Sequence, residues 1–142
     1  MRILGIDYGT RHVGLAVSDE TRLIAQGLET VHYKGSVDYL IRKIGEMVRR
    51  HEVSEVVMGL PLNMDGTKGE KANEVESFAE RLKETLHLPV TLWDERLTTA
   101  SVERDLSRWK LGIQKKKSLL DRLSAQLILQ SYLDFQRSRS KS

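Results

Sequence analysis

Residues Ile3–Ser18, ILGIDYGTRHVGLAVS, decide how the rest of the chain is read. Ile3–Tyr8 is an apolar run short enough for a strand. Gly9-Thr10-Arg11-His12 follows as a turn. Val13, Leu15 and Val17 then alternate with Gly14, Ala16 and Ser18, the period-two pattern of a second strand. Strands joined so briefly pair antiparallel. Asp7 stands inside the first of them. In a strand covered on both faces, an ionised carboxylate is costly unless a cation, hydrogen bonds or a metal ion compensates it. The strand offers no Lys or Arg beside Asp7.

Working outward, Asp19–Arg22 is a second turn and Leu23–Val31 a third strand, which completes an antiparallel meander. The period then changes. Val37, Leu40, Ile41, Ile44 and Met47 or Val48 recur at helical spacing, with Ser36 as N-cap and Asp38 in the first turn. Glu55–Gly59 is a short buried strand, and LPLNMDGTKG (60–69) is a loop rich in turn formers. Ala72, Val75, Phe78, Ala79, Leu82 and Leu86 mark a second amphipathic helix. Pro89 precedes the strand VTLW (90–93). Thr98 or Thr99 caps a helix to about Trp109. LGIQKKK (111–117) reads as a basic loop, and Ser118–Phe135 as a final helix, apolar on most sides. The order predicts one α/β domain over residues 1–136 and a disordered basic tail over 137–142. Its core is a five-stranded mixed sheet, a three-strand antiparallel meander plus two parallel strands, with helices on both faces.

Composition narrows the chemistry. The 142 residues are 39% hydrophobic and 30% charged, and none is Cys. Disulfides, thiolate nucleophiles and Cys-ligated metals are therefore excluded. No apolar run approaches membrane-spanning length and no leader signature opens the chain, so the expectation is a cytoplasmic protein without a membrane partner. The net charge of +3 is unevenly spread. Residues 1–103 hold 13 Lys/Arg against 17 Asp/Glu, whereas residues 104–142 hold 10 against 3. A basic end suits a polyanion.

Three acids are oddly placed. Asp7 is on the first strand, Glu95 is where VTLW runs out, and Asp121 is in the first turn of the last helix. Sites in such sheets gather at the carboxyl ends of strands, where the three could converge. Carboxylates without Cys or His select hard cations such as Mg²⁺ or Mn²⁺. Two such ions can activate water and stabilise the leaving oxygen of a phosphodiester. Each acid also has a plainer reading. Asp7 could cap its own turn, Glu95 could pair with Arg96 or Arg11, and Asp121 stands in capping-box position to Ser118. Asp94 and Glu95, being neighbours, should point to opposite faces. Arg11, Arg96 and Lys115, Lys116 and Lys117 are candidates for phosphate contacts. His12, His32, His51 and His87 lack ligand spacing and read as surface or turn residues. Trp93 reads as sheet core, and Trp109 as helix packing or a stacking surface. A strand-Asp-x-Gly-Thr hairpin also cradles nucleotide phosphates in sugar kinases and actin-like ATPases. Those close two related domains over the nucleotide, and this chain holds one.

Four stretches, GIDYGTRHVGLAVSD, GLPLNMDGT, WDERLTT and DRLSAQLILQSYL, together resemble the successive blocks of the YqgF family, also called RuvX. These are the pre-16S ribosomal RNA nucleases, or Holliday-junction-resolvase-like proteins. The resemblance spans nearly the whole chain. It implies an RNase H-like fold and metal-dependent nuclease chemistry, with Asp7, Glu95 and Asp121 at the acidic positions. Gly9, Thr10, Asn63, Asp65 and Gly66 match motif positions that shape the site or contact substrate. The wider resolvase superfamily places a glutamate just after the first strand beyond the meander. Here that strand ends MGLPLN, so Glu95 would supply the carboxylate from the neighbouring strand. The expected function is a Mg²⁺- or Mn²⁺-dependent endonuclease acting on structured nucleic acid, foremost the 5′ end of precursor 16S ribosomal RNA. A resolvase of branched DNA, which would have to be a dimer, and a non-catalytic ribosome-assembly factor are the alternatives. The residues do not distinguish RNA from DNA, or monomer from homodimer.

Overall fold

The computed structural model describes residues 1–9, 11–98 and 113–140, with 113–122 and 140 described by backbone alone. Strands β1 (Arg2–Asp7) and β2 (His12–Ser18) pair antiparallel, with Asp7 opposite Gly14. The expected third strand is two short pieces, β3 (Ala25–Gly27) and β4 (Val31–His32), both antiparallel to β2. The break has a simple cause. Between the paired ends, Gly14 and Leu15 of β2 face three residues, Leu28, Glu29 and Thr30. One residue too many makes a bulge, which interrupts the ladder and shifts the register beyond it.

Helix α1 (Val37–Arg50) starts at Ser36, whose hydroxyl accepts from Tyr39 N at 3.2 Å. Such a cap contributes about 1 kcal/mol. Strand β5 (Val53–Leu60) then runs parallel to β1. Helix α2 (Glu70–Leu86) ends at His87, in the left-handed conformation, before β6 (Val90–Asp94) pairs parallel with β5. Glu95–Leu97 form a single 3₁₀ turn. Helix α3 (Ile113–Ser140) closes the described chain. The sheet order is β3-β2-β1-β5-β6, with β4 paired to β2, which is the mixed sheet the sequence predicts.

Both faces are covered, so β1 and β5 read as near-continuous apolar runs. Leu4, Ile6, Val56 and Met58 pack against Leu40 and Ile44 of α1 and Val75 and Leu82 of α2. Ile3 and Val57 face Ala125, Ile128, Leu129 and Leu133 of α3. Trp93 lies against this second layer, and its indole donates to Ser131 Oγ at 3.0 Å. Alternation along β1 therefore puts Gly5 and Asp7 on the α3 face.

Two expectations near the C-terminus fail. Lys115, Lys116 and Lys117 lie in the first turns of α3, not in a loop. Gln, Lys and Leu are good helix formers, and the segment from Ile113 contains no breaker. Residues 137–140, expected in the disordered tail, are helical as well. Arg137 pairs with Asp134 at 3.0 Å, and Arg139 lies 5.8 Å over the Phe135 ring. The expected helix ending near Trp109 lies outside the described residues, as does Thr10.

Candidate metal and phosphodiester site

The site grows from the carboxyl ends of β1, β5 and β6. Asp7 is the last residue of β1 and is half-buried. Glu95 follows the last residue of β6, at the first position of the 3₁₀ turn. Asp94 caps that turn by accepting from Arg96 N at 2.9 Å. The cap turns the chain so that Asp94 and Glu95 part company. Asp94 is bound by the Arg96 guanidinium, with Nη2 to Oδ2 at 2.8 Å, and its pKa is lowered chiefly by that bond. Glu95 bends back over β5.

What makes room for Glu95 is Gly59. A Cβ on Gly59 would stand 2.5 Å from Glu95 Oε1, 2.8 Å from its Cγ and 2.6 Å from Ile128 Cδ1. Any other residue there would occupy the space the Glu95 side chain fills. Gly5 plays the same part for α3. Its Cβ would meet Leu129 Cβ at 2.7 Å and the Ala125 carbonyl at 3.1 Å, so the helix settles directly on bare backbone.

Glu95 shares a hydrogen bond with Asp7. Burial, then the Asp7 charge and that bond, push the Glu95 carboxyl from 4.5 up to about 7. Lys71, in the first turn of α2, pulls it part of the way back. Two carboxylates facing each other in a half-buried place is the arrangement a divalent cation relieves. The donors are all oxygen, which suits Mg²⁺ or Mn²⁺. The residues fit that group. Among the described residues no cluster of three His, Cys, Asp or Glu forms a complete ligand set. Position 121 is one helical turn before Ala125 and so on the same α3 face, toward the Asp7 end of β1. The Asp121 side chain lies outside the described residues, as do those of Lys115–Lys117.

Asn63, Asp65 and Arg96 are bonded within the fold. Asn63 Nδ2 donates to Thr67 Oγ1 at 2.9 Å, and Asp65 accepts from Thr67 N at 3.0 Å. The NMDGT turn is thus closed on itself, with Gly66 at positive φ of 88°. Arg96 holds this turn, donating to the Met64 carbonyl at 3.2 Å while it grips Asp94. The Gly9 carbonyl accepts from Tyr33 Oη at 2.9 Å, and Arg11 is exposed. Sequence reasoning missed Gly59 and Lys71. Gly59 had a signal, since a glycine closing a buried strand marks close approach by another group. Lys71 had none, because on a charged helix face it looks like its neighbours.

Comparison with known proteins agrees with this architecture. The RuvX model, described as a Holliday junction resolvase, matches residues 1–135. The chain is 44% identical to a "Putative pre-16S rRNA nuclease" of Caldanaerobacter subterraneus subsp. tengcongensis, over 97% of this chain and 99% of that one. A Bacillus subtilis protein of the same name is 42% identical over 94% and 98%. Among solved structures, Thermus thermophilus RuvC superposes over 97% of both chains with a TM-score of 0.55 at 16% identity, a likeness of fold. With a family model spanning all but the last few residues, and relatives of matching length above 40% identity, the chain belongs to the RuvX family.

Proposed function

We propose that the protein is a divalent-metal-dependent endonuclease that cuts structured RNA, with precursor 16S ribosomal RNA as substrate. The observation that carries this reading is the Asp7–Glu95 pair, two carboxylates pressed together at the carboxyl end of the sheet with one pKa near 7. The names of the full-length relatives supply the substrate.

Hydrolysis of a phosphodiester adds water across a P–O bond, and negative charge grows on the leaving oxygen. A bound Mg²⁺ or Mn²⁺ supplies activation of water and stabilisation of that charge. Asp7 and Glu95, with Asp121, are the residues that would hold it. Without a cation, the Glu95 carboxyl retains a proton toward neutral pH and the pair avoids facing itself as two full charges. Gly59 keeps Glu95 inward, and the Asp94–Arg96 bridge fixes the turn that carries it. Lys71, beside the pair, contributes positive potential where a phosphate would approach. Arg11 and Lys115–Lys117 are assigned to the substrate backbone.

The test is a cleavage assay of the protein and its Asp7→Asn variant. Substrates are precursor 16S RNA, a four-way DNA junction and plain duplexes, each with Mg²⁺, Mn²⁺ or EDTA. Cutting of the RNA that needs metal and is lost in the variant is expected. Cutting of the junction alone would shift the substrate to branched DNA. Cutting that survives the substitution would remove Asp7 from the chemistry.

A further inference from the structure

A groove of about 1220 Å³ opens at the tip of the β1–β2 hairpin, against the start of α1. It is larger than a pocket for one small ligand, which is on the order of 300–1,000 Å³. Among the described residues, its charged residues are Arg11 from the hairpin turn, Lys34 from the β4–α1 connection and Arg42 from α1, and no carboxylate lines it. Among the described residues, the ion pairs within 4 Å take up Lys43, Lys68, Arg81, Arg96 and Arg137. Arg11, Lys34 and Arg42 are in none of them. Three cations that none of these pairs takes up therefore line one concavity.

The groove is built, not incidental. The bulge in the third strand shifts the β2–β4 register and sets His12 beside His32, with their Nδ1 atoms 2.6 Å apart. Tyr33 forms the back wall. Its backbone N–H donates to the Arg11 carbonyl at 3.1 Å and its hydroxyl to the Gly9 carbonyl at 2.9 Å. Both bonds fasten the groove to the turn that follows Asp7. Arg11 stands four positions after Asp7, so their Cα atoms are at most about 14 Å apart. The capped N-terminus of α1 opens into the groove at Ser36 and adds its positive end.

We propose that this groove holds the phosphodiester backbone of a single nucleic-acid strand and delivers it to the Asp7–Glu95 pair. The proposal rests on the nuclease reading and adds Lys34 and Arg42 as positioning residues. Arg42 also lies 5.5 Å over the Tyr39 ring, which fixes its guanidinium at the groove wall.

Binding of a fluorescein-labelled single-stranded RNA oligonucleotide, followed by anisotropy in EDTA at several salt concentrations, tests this apart from catalysis. The doubly substituted Lys34→Gln, Arg42→Gln protein should bind about tenfold more weakly at low salt. Its slope of log K against log[salt] should be shallower by about 1.4, or 0.7 for each lost contact. Arg42→Lys should restore part of the affinity. A control with the same charge change at the far end of α1, Arg49→Gln with Arg50→Gln, should leave the slope unchanged. Equal slopes for the protein and the groove variant, equal effects of groove and control, or no binding at all would overturn the proposal. If Asp7→Asn keeps its cleavage while the groove variant loses affinity, the nuclease site is wrong and the groove stands.

Discussion

Two acidic places in this molecule carry opposite electrostatics. Asp19, in the β2–β3 turn, accepts from Leu23 N at 2.8 Å, Ile24 N at 3.1 Å and the Thr21 hydroxyl. Those bonds, the Thr21 hydroxyl foremost, drive its pKa from 3.8 down to about 2. Glu95 is drawn over Gly59 toward Asp7, and its pKa climbs to about 7. At the turn the fold supplies donors and the charge is settled. At the ends of β1 and β6 the fold supplies a second acid, and the charge waits for something from outside. A strand-end acid that the fold sets against a second acid, with its pKa displaced, is the kind of group that marks a candidate site.

The sharpest way to break this contrast is to remove the second acid. Asp7→Asn should lower RNA cleavage by about a thousandfold or more in Mg²⁺. Thermal unfolding in EDTA at neutral pH should find the variant as stable as the parent or more so, because a repulsion is gone. Loss of stability together with activity would make Asp7 a structural residue like Asp19.

Next comes the glycine pair. Gly59→Ala drives a Cβ into the Glu95 carboxylate and Ile128, and should cost about 1–3 kcal/mol in denaturant unfolding. Cleavage per folded molecule should fall about tenfold or more, since Glu95 must move. Gly5→Ala meets Leu129 and the Ala125 carbonyl, so it should destabilise to a similar degree, about 1–3 kcal/mol. Its cleavage per folded molecule should fall less than that of Gly59→Ala, because the space for Glu95 is kept. Equal activity losses in the two variants would say that Gly59 acts only through packing.

A pH series follows. The folded state holds a proton on Glu95 up to about 7, whereas the unfolded chain releases it near 4.5. Stability from this group is therefore full below 4.5 and lost as pH rises through 7. After discounting for solvent, the difference is about 2 kcal/mol in EDTA. It is measured as the stability of the parent minus that of Glu95→Gln. Asp19 has the reverse sign and the smallest effect. Its contribution is present above 3.8 and disappears as pH falls through about 2. Asp19→Ala should lower the melting temperature slightly at pH 7 and by less at pH 2.

The sequence made the sheet legible because burial on both faces writes long apolar runs, and Ser36 and Pro89 punctuate them. It hid the bulge, since one surplus residue among Leu28, Glu29 and Thr30 leaves the alternation looking whole. It also hid the start of α3, where a run of lysines reads equally as a solvated loop. In the candidate site, the proximity of Asp7 and Glu95 could be argued from strand ends. The space that Gly59 leaves could not, because it depends on which neighbour leans over the strand. The roles given to Asn63 and Arg96 illustrate the same limit. A motif marks them, yet their bonds within the NMDGT turn and to Asp94 exist only in three dimensions.

Calorimetric titration of Mn²⁺ into the protein and into Asp7→Asn, at pH 6.5 in buffers of different ionisation enthalpy, tests the paired-acid account most directly. Saturable binding to the parent is expected, with release of a fraction of a proton as the cation displaces the one held on Glu95. Asp7→Asn should bind much more weakly and release no proton. Equal binding by the two proteins, or binding without proton release, would contradict it.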